Sequence, residues 1–152
     1  MLLPVRENVV LPSLRTQWLN PRRMDALASH FVGQLRIRIP SLQAPAMQLS
    51  GGNQQKVVLA KWLASRSKVF IFDEPTQGID VGSKVEIYRL IAELAQAGAG
   101  ILLISSELRE ILSLSHRVLV MWKGRLVGNL ARQEATPERL LTRIFGEPAS
   151  QA

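Results

Sequence analysis

The apolar positions of this chain follow two rhythms, and the change from one to the other organises it. From Val5 to about Arg38, leucine and valine recur three and four residues apart, which predicts helix, with a break at Asn20-Pro21 where a second helix starts. Two prolines, Pro40 and Pro45, bound a linker that no helix can run through. Ser50 suits a helix N-cap whose hydroxyl accepts from an unpaired first-turn amide, and Gly51 and Gly52 keep that turn free of side-chain bulk. The helix so opened runs to about Arg66.

Val69-Phe70-Ile71-Phe72 is apolar at every position, which predicts a parallel strand covered on both faces, with Asp73 and Glu74 at its carboxyl end. Asp80 caps a helix to about Ala97, closed by Gly98 and Gly100, and Ile101-Leu102-Leu103-Ile104 is a second buried strand. Strand, helix, strand in that order predicts a right-handed parallel crossover. A short helix follows from Ser106 to about Leu114, then strands over 117–121 and 126–130 around the Lys123-Gly124 turn. Thr136-Pro137 opens a last helix ending near Gly146. The fold class is therefore α/β preceded by a helical part, divided as a helical subdomain (1–48), an α/β portion (49–147) and a disordered tail (148–152).

Composition narrows the function classes. With 152 residues, 47% of them apolar, the chain can bury one core. Cysteine is absent, which removes disulfides and thiolate metal sites and fits a reducing, cytoplasmic compartment. The longest apolar runs fall short of the roughly 18 to 20 residues needed to cross a bilayer, and no charged-then-apolar leader opens the sequence, so any membrane role is peripheral. The net charge of +7 is uneven: residues 1–68 hold 10 Lys+Arg against 2 Asp+Glu, and residues 69–152 hold 9 against 10. No stacking-aromatic pattern or helix-turn-helix signal accompanies that basic excess, so nucleic acid is not an expected partner. His30 and His116 lack partners at ligand spacing, and Lys56 reads as a solvated helix cation.

Two motifs carry chemistry. Exposed amides at the positive end of a glycine-opened helix, at Ser50-Gly51-Gly52, can receive an anion such as a terminal phosphate. At the end of a buried strand, Asp73 can hold Mg²⁺, and Glu74, pointing elsewhere, can polarise an attacking water. No Gly-x-x-x-x-Gly-Lys-[Ser/Thr] phosphate loop occurs in the sequence. The run Gly78-Ile79-Asp80-Val81-Gly82-Ser83-Lys84 imitates one, but it has three residues between its glycines, an extra residue before lysine, and an aspartate that would repel phosphate.

The joint pattern is specific. Leu49 to Lys56 resembles the signature motif of ATP-binding cassette proteins, Phe70 to Glu74 their Walker B strand, and Gly78-Ile79-Asp80 their D-loop. Asn53 and the 73–82 segment resemble the second cassette of the double-cassette ATPases that energise bacterial ribose-, galactose- and xylose-type sugar importers. Pro4 to Val9 resembles the start of the helical subdomain in those proteins, which places Met1 beyond their phosphate loop, the Walker A region.

The resemblance implies a partial cassette fold, with ATP and Mg²⁺ as cofactors. Ser50, Gly51, Gly52, Asn53 and Gln54 would contact ATP held by a second cassette that supplies Walker A in trans, with Asp80 in the D-loop. Asp73 would hold the metal, and Glu74 and Ser106 would be the catalytic positions. Ser106 stands where superfamily members usually carry a switch histidine, and Gln77 where the sugar-importer group often has arginine. The implied partners are membrane permease subunits and, indirectly, a periplasmic sugar-binding protein, at the cytoplasmic face of the bacterial inner membrane. The chain alone would be a weak or inactive ATPase. The competing readings are an inactive truncated cassette acting as an interaction module, or a gene remnant, and a soluble cassette ATPase not linked to transport.

Overall fold

The structure is a computed structural model that describes residues 2–13, 20–65 and 67–145. Its helices and strands are α1 (Val5–Val10), α2 (Pro21–Gln34), α3 (Gly51–Leu63), β1 (Val69–Asp73), α4 (Val81–Gln96), β2 (Gly100–Ile104), α5 (Leu108–Leu114), β3 (Arg117–Trp122), β4 (Arg125–Ala131) and α6 (Pro137–Phe145). The expected ends at Arg66 and Gly146 and the tail at 148–152 lie outside the described residues.

The chain divides into two compact units, one of Met1–Phe70 and Pro75–Leu102, the other of Ile71–Glu74 and Leu103–Ala152. In the first, α1 packs on both α2 and α3. Val5, Val9, Ala28, Val57, Ala60, Ile87 and Ile91 are buried there. The proline-bounded linker is docked: Ala44 and Leu42 carbonyls accept from the Val5 and Arg6 amides at 3.0 Å each, satisfying amides that α1 itself cannot.

The first helical region is shorter than its apolar spacing predicts. α1 gives way to a 3-10 turn at Leu11–Ser13, and α2 stops at Gln34. The stop has a cause: Arg36 takes φ 50°, its amide reaching Gly33 O at 3.1 Å, while the Ile37 amide reaches Val32 O at 2.9 Å. That closure turns the chain and drops Ile37 into the core. Gly98, at φ 89°, closes α4 in the same way, with Ala99 N bonded to Leu94 O at 3.0 Å.

β1 and β2 pair with their starts and their ends side by side, since Gly100 N donates to Lys68 O and Glu74 N to Ile104 O, both at 2.9 Å. The pairing is parallel, as strand-helix-strand predicts. Coverage of β1 on both faces is not what forms. Phe70 and Phe72 are buried, but Val69 and Ile71 are 66% and 67% exposed. A two-stranded sheet packed on one side leaves alternate side chains in water, however apolar the run.

In the second unit β3 and β4 form an antiparallel hairpin whose turn places Lys123 at φ 47° and Gly124 at φ 77°, the two left-handed residues that a tight hairpin turn requires. Its core is Val118, Val120, Leu130, Ala135 and Leu140, with Leu108, Ile111 and Leu112 of α5 packed against it. Thr136 caps α6, accepting from Arg139 N at 3.3 Å. Replacing Leu140, 4% exposed, with alanine is expected to cost about 2–5 kcal/mol, read as a lower denaturant midpoint.

Candidate functional site

Ser50 occupies the cap position of α3, but its hydroxyl does not cap the helix. The Asn53 side-chain amide donates to it at 2.9 Å, and Asn53 Oδ1 accepts the Arg38 amide at 2.8 Å. Asn53 therefore outcompetes the backbone for the hydroxyl and pins the incoming chain to the helix head. Gln54 likewise turns backward, donating to Leu49 O at 2.8 Å and Met47 O at 3.2 Å. The first helical bond is Gln54 N to Ser50 O at 2.9 Å, so the amides of Gly51, Gly52 and Asn53 precede the ladder.

The two glycines have different duties. Gly51 is exposed, and a methyl built on it meets nothing within 4 Å. Gly52 is buried against α4, where a methyl would lie 2.7 Å from Ser83 Oγ and 3.7 Å from Asp80 Oδ2. Only Gly51 offers an open approach to an outside ligand. Gly52 lacks a side chain because α4 occupies that space.

Asp80 caps α4, with Ser83 N donating to Oδ1 at 3.0 Å and Ser83 Oγ to Oδ2 at 2.8 Å. Those two bonds hold its carboxyl below the usual carboxylate range. One turn further in, Lys56 is not the solvated cation that its sequence suggests. It is 7% exposed, and its ammonium pairs with Glu86 and lies 3.5 Å from the Arg36 carbonyl oxygen. The Lys56 hydrogen bond, with the charges of Lys56, Arg36 and Arg38, pulls the Glu86 carboxyl down.

In the second unit Glu74 sits at φ 46°, left-handed for a residue with a full side chain. Its carboxylate takes the Ser106 amide at 2.7 Å on Oε1 and the Ser106 hydroxyl at 3.2 Å on Oε2. The structure thus brings together Glu74 and Ser106, which the sequence placed 32 residues apart. Asp73, exposed at the end of β1, has no hydrogen bond to its carboxylate among the described residues. A free carboxylate at a strand end suits a hard cation that keeps waters and takes further oxygens from a phosphate. Sequence reasoning missed Lys56, Ser83 and Glu86. The available signal was spacing, since Lys56 follows Gly52 by four residues and so shares its face of α3.

Residues 3–77 match the model of the ABC transporter family. A ribose import ATP-binding protein of Rubrobacter xylanophilus is 50% identical over 145 residues, which is 91% of this chain and 29% of that protein. A xylose import ATP-binding protein of Geobacillus kaustophilus is 54% identical over 119 residues, 78% of this chain and 24% of that one. The chain thus spans under a third of these relatives' lengths. An ATP-binding cassette of an ABC transporter superposes with a TM-score of 0.77 at 20% identity, covering 93% of this chain and 62% of that chain. A dimeric cassette in a post-hydrolysis state bound to ADP and phosphate superposes with a TM-score of 0.75 at 20% identity, covering 86% and 57%. These two share the fold.

Two predictions follow from this geometry. Gly52→Ala lowers the thermal midpoint because Ser83 must move, whereas Gly51→Ala leaves it unchanged or slightly higher, as differential scanning fluorimetry will read. Asp80 and Glu86 both have lowered carboxyl values, so the stability they add is present above the unfolded value and lost as pH falls through the folded one. The midpoint should therefore decline below about pH 4, and Glu86→Gln should flatten part of that decline.

Proposed function

We propose, on the premise that the chain belongs to the ATP-binding cassette family, that it forms the later part of a cassette energising a carbohydrate importer. The observation that carries the reading is the head of α3, where amides ahead of the helical ladder open onto solvent at Gly51. A helix head in that state attracts a terminal phosphoryl group, which would be presented by ATP on a second cassette. Asn53 and Gln54 serve that surface by fixing the turn that leads into it, rather than by reaching outward. Asp80 serves by holding the head of α4 beside Gly52.

Asp73 and Glu74 act on nucleotide bound to this cassette's own phosphate loop, which the 152 residues do not contain. Asp73 would hold Mg²⁺, whose chemistry when bound is to neutralise charge on the phosphate oxygens. Glu74 would accept a hydrogen bond from the attacking water, and so orient it, through lone pairs that Ser106 leaves unused, because a carboxylate has about four acceptor positions and Ser106 fills two. Ser106 orients the carboxylate and supplies no positive charge, unlike a histidine. The helical subdomain, residues 1–48, meets permease subunits, and the binding protein that selects the sugar acts through them from the periplasmic side. The site of action is the cytoplasmic face of the membrane. No described helix is long and apolar enough to cross it.

The test mixes the 152-residue chain with a sugar-importer cassette that carries an intact phosphate loop. Association should require Mg-ATP and weaken more than about tenfold in Gly51→Asp, which sets a negative charge where the phosphate would sit without disturbing packing. The chain alone should turn over ATP slowly or not at all. Association indifferent to Gly51→Asp, or brisk turnover by the isolated chain, would overturn the reading.

A further inference from the structure

The burial of Lys56 demands an explanation that the anion-site reading does not supply. Its ammonium sits on the α4 side of α3, paired with Glu86, and the residue is 7% exposed. A lysine buried to that degree needs its partner, because an unpaired ammonium out of water is costly. Glu86 is different: its side chain is 41% exposed, so it could hydrate without Lys56. The pair is therefore held by the needs of the lysine, on the helix that begins with the glycines.

Spacing gives the pair a mechanical meaning. Gly52 and Lys56 stand one turn apart on a single face of α3, while Ser83 and Glu86 stand three residues apart on a single face of α4. Gly52 meets Ser83, and Lys56 meets Glu86. Two contacts one turn apart set the approach of two helix heads, where one contact would let them swivel. The Lys56 ammonium also reaches the carbonyl of Arg36, in the left-handed turn that ends α2, adding a third element to the joint.

We propose that Lys56 and Glu86 are positioning residues whose ion pair locks the head of α3 against the head of α4, so that the open amides at Gly51 and the capped turn at Asp80 form one fixed edge. The purpose of that edge rests on the γ-phosphate reading above, but its existence does not. A salt bridge that served stability alone could be replaced by apolar packing without loss. A positioning pair cannot, since a methionine at 56 fills the same space and carries no tie to Glu86.

The experiment is amide hydrogen exchange on the whole 152-residue chain as wild type, Lys56→Met, Lys56→Arg and Glu86→Gln, with thermal midpoints measured in parallel. The amides of 54–57 and 83–85 should exchange about tenfold faster in Lys56→Met and Glu86→Gln, while those of α2 keep their protection and Lys56→Arg restores the wild-type pattern. Unchanged exchange at those amides, or a rise shared equally by α1 and α2, would overturn the proposal. Should Lys56→Met fail to fold, Glu86→Gln reports on the same joint from a half-exposed position with nearly the same volume. Exchange needs no nucleotide, so a loosened head in a chain whose partner binding ignores Gly51→Asp upholds the joint and overturns the phosphate reading.

Discussion

An α-helix leaves its first amides without acceptors, and much of this protein is a set of answers to that constraint. Asn20 answers it for α2, accepting from Arg22 N at 2.9 Å, Asp80 for α4, and Thr136 for α6. The linker carbonyls answer it for α1. Among the described helices of nine residues or more, α3 differs, because the one hydroxyl placed to cap it is taken by Asn53. A helix that could have been closed is kept open by its own third residue. The same residue anchors the chain at Arg38, so openness and rigidity arise together.

Most of the element order is legible in the sequence because it depends on local chemistry. Proline after Asn20, aspartate before Val81 and threonine before Pro137 start helices wherever they stand, and Lys123-Gly124 makes a tight turn by backbone preference alone. The placement of the motif residues was legible for the same reason: the glycines stand at a helix head and the carboxylates at a strand end, as local pattern predicts. What the sequence conceals is competition and coverage. A cap signature does not say that Asn53 will claim the Ser50 hydroxyl. An apolar run does not say whether neighbours cover one face of β1 or two. Helical periodicity puts Lys56 on a face but cannot say that α4, some thirty residues later in the chain, lies over it.

The glycine pair shows how adjacent positions of one motif can face different surroundings. Gly51 is bare toward solvent, and Gly52 is bare toward Ser83. Read from sequence, both serve an incoming phosphate. In the structure, the second serves the helix packing that holds the first in place. Removal of a side chain thus leaves the helix head open at one position and lets α4 pack closely at the next.

Glu74 carries a tension of another sort. A left-handed backbone costs a residue with a Cβ about 1–2 kcal/mol, which glycine would not incur, yet the position holds a carboxylate clasped by Ser106. Heat tolerance and the chemistry proposed for this carboxylate therefore pull this single site in opposite directions. Directed evolution under thermal selection alone would erode it first, and a stabilised descendant of this protein would be expected to have surrendered its acid there.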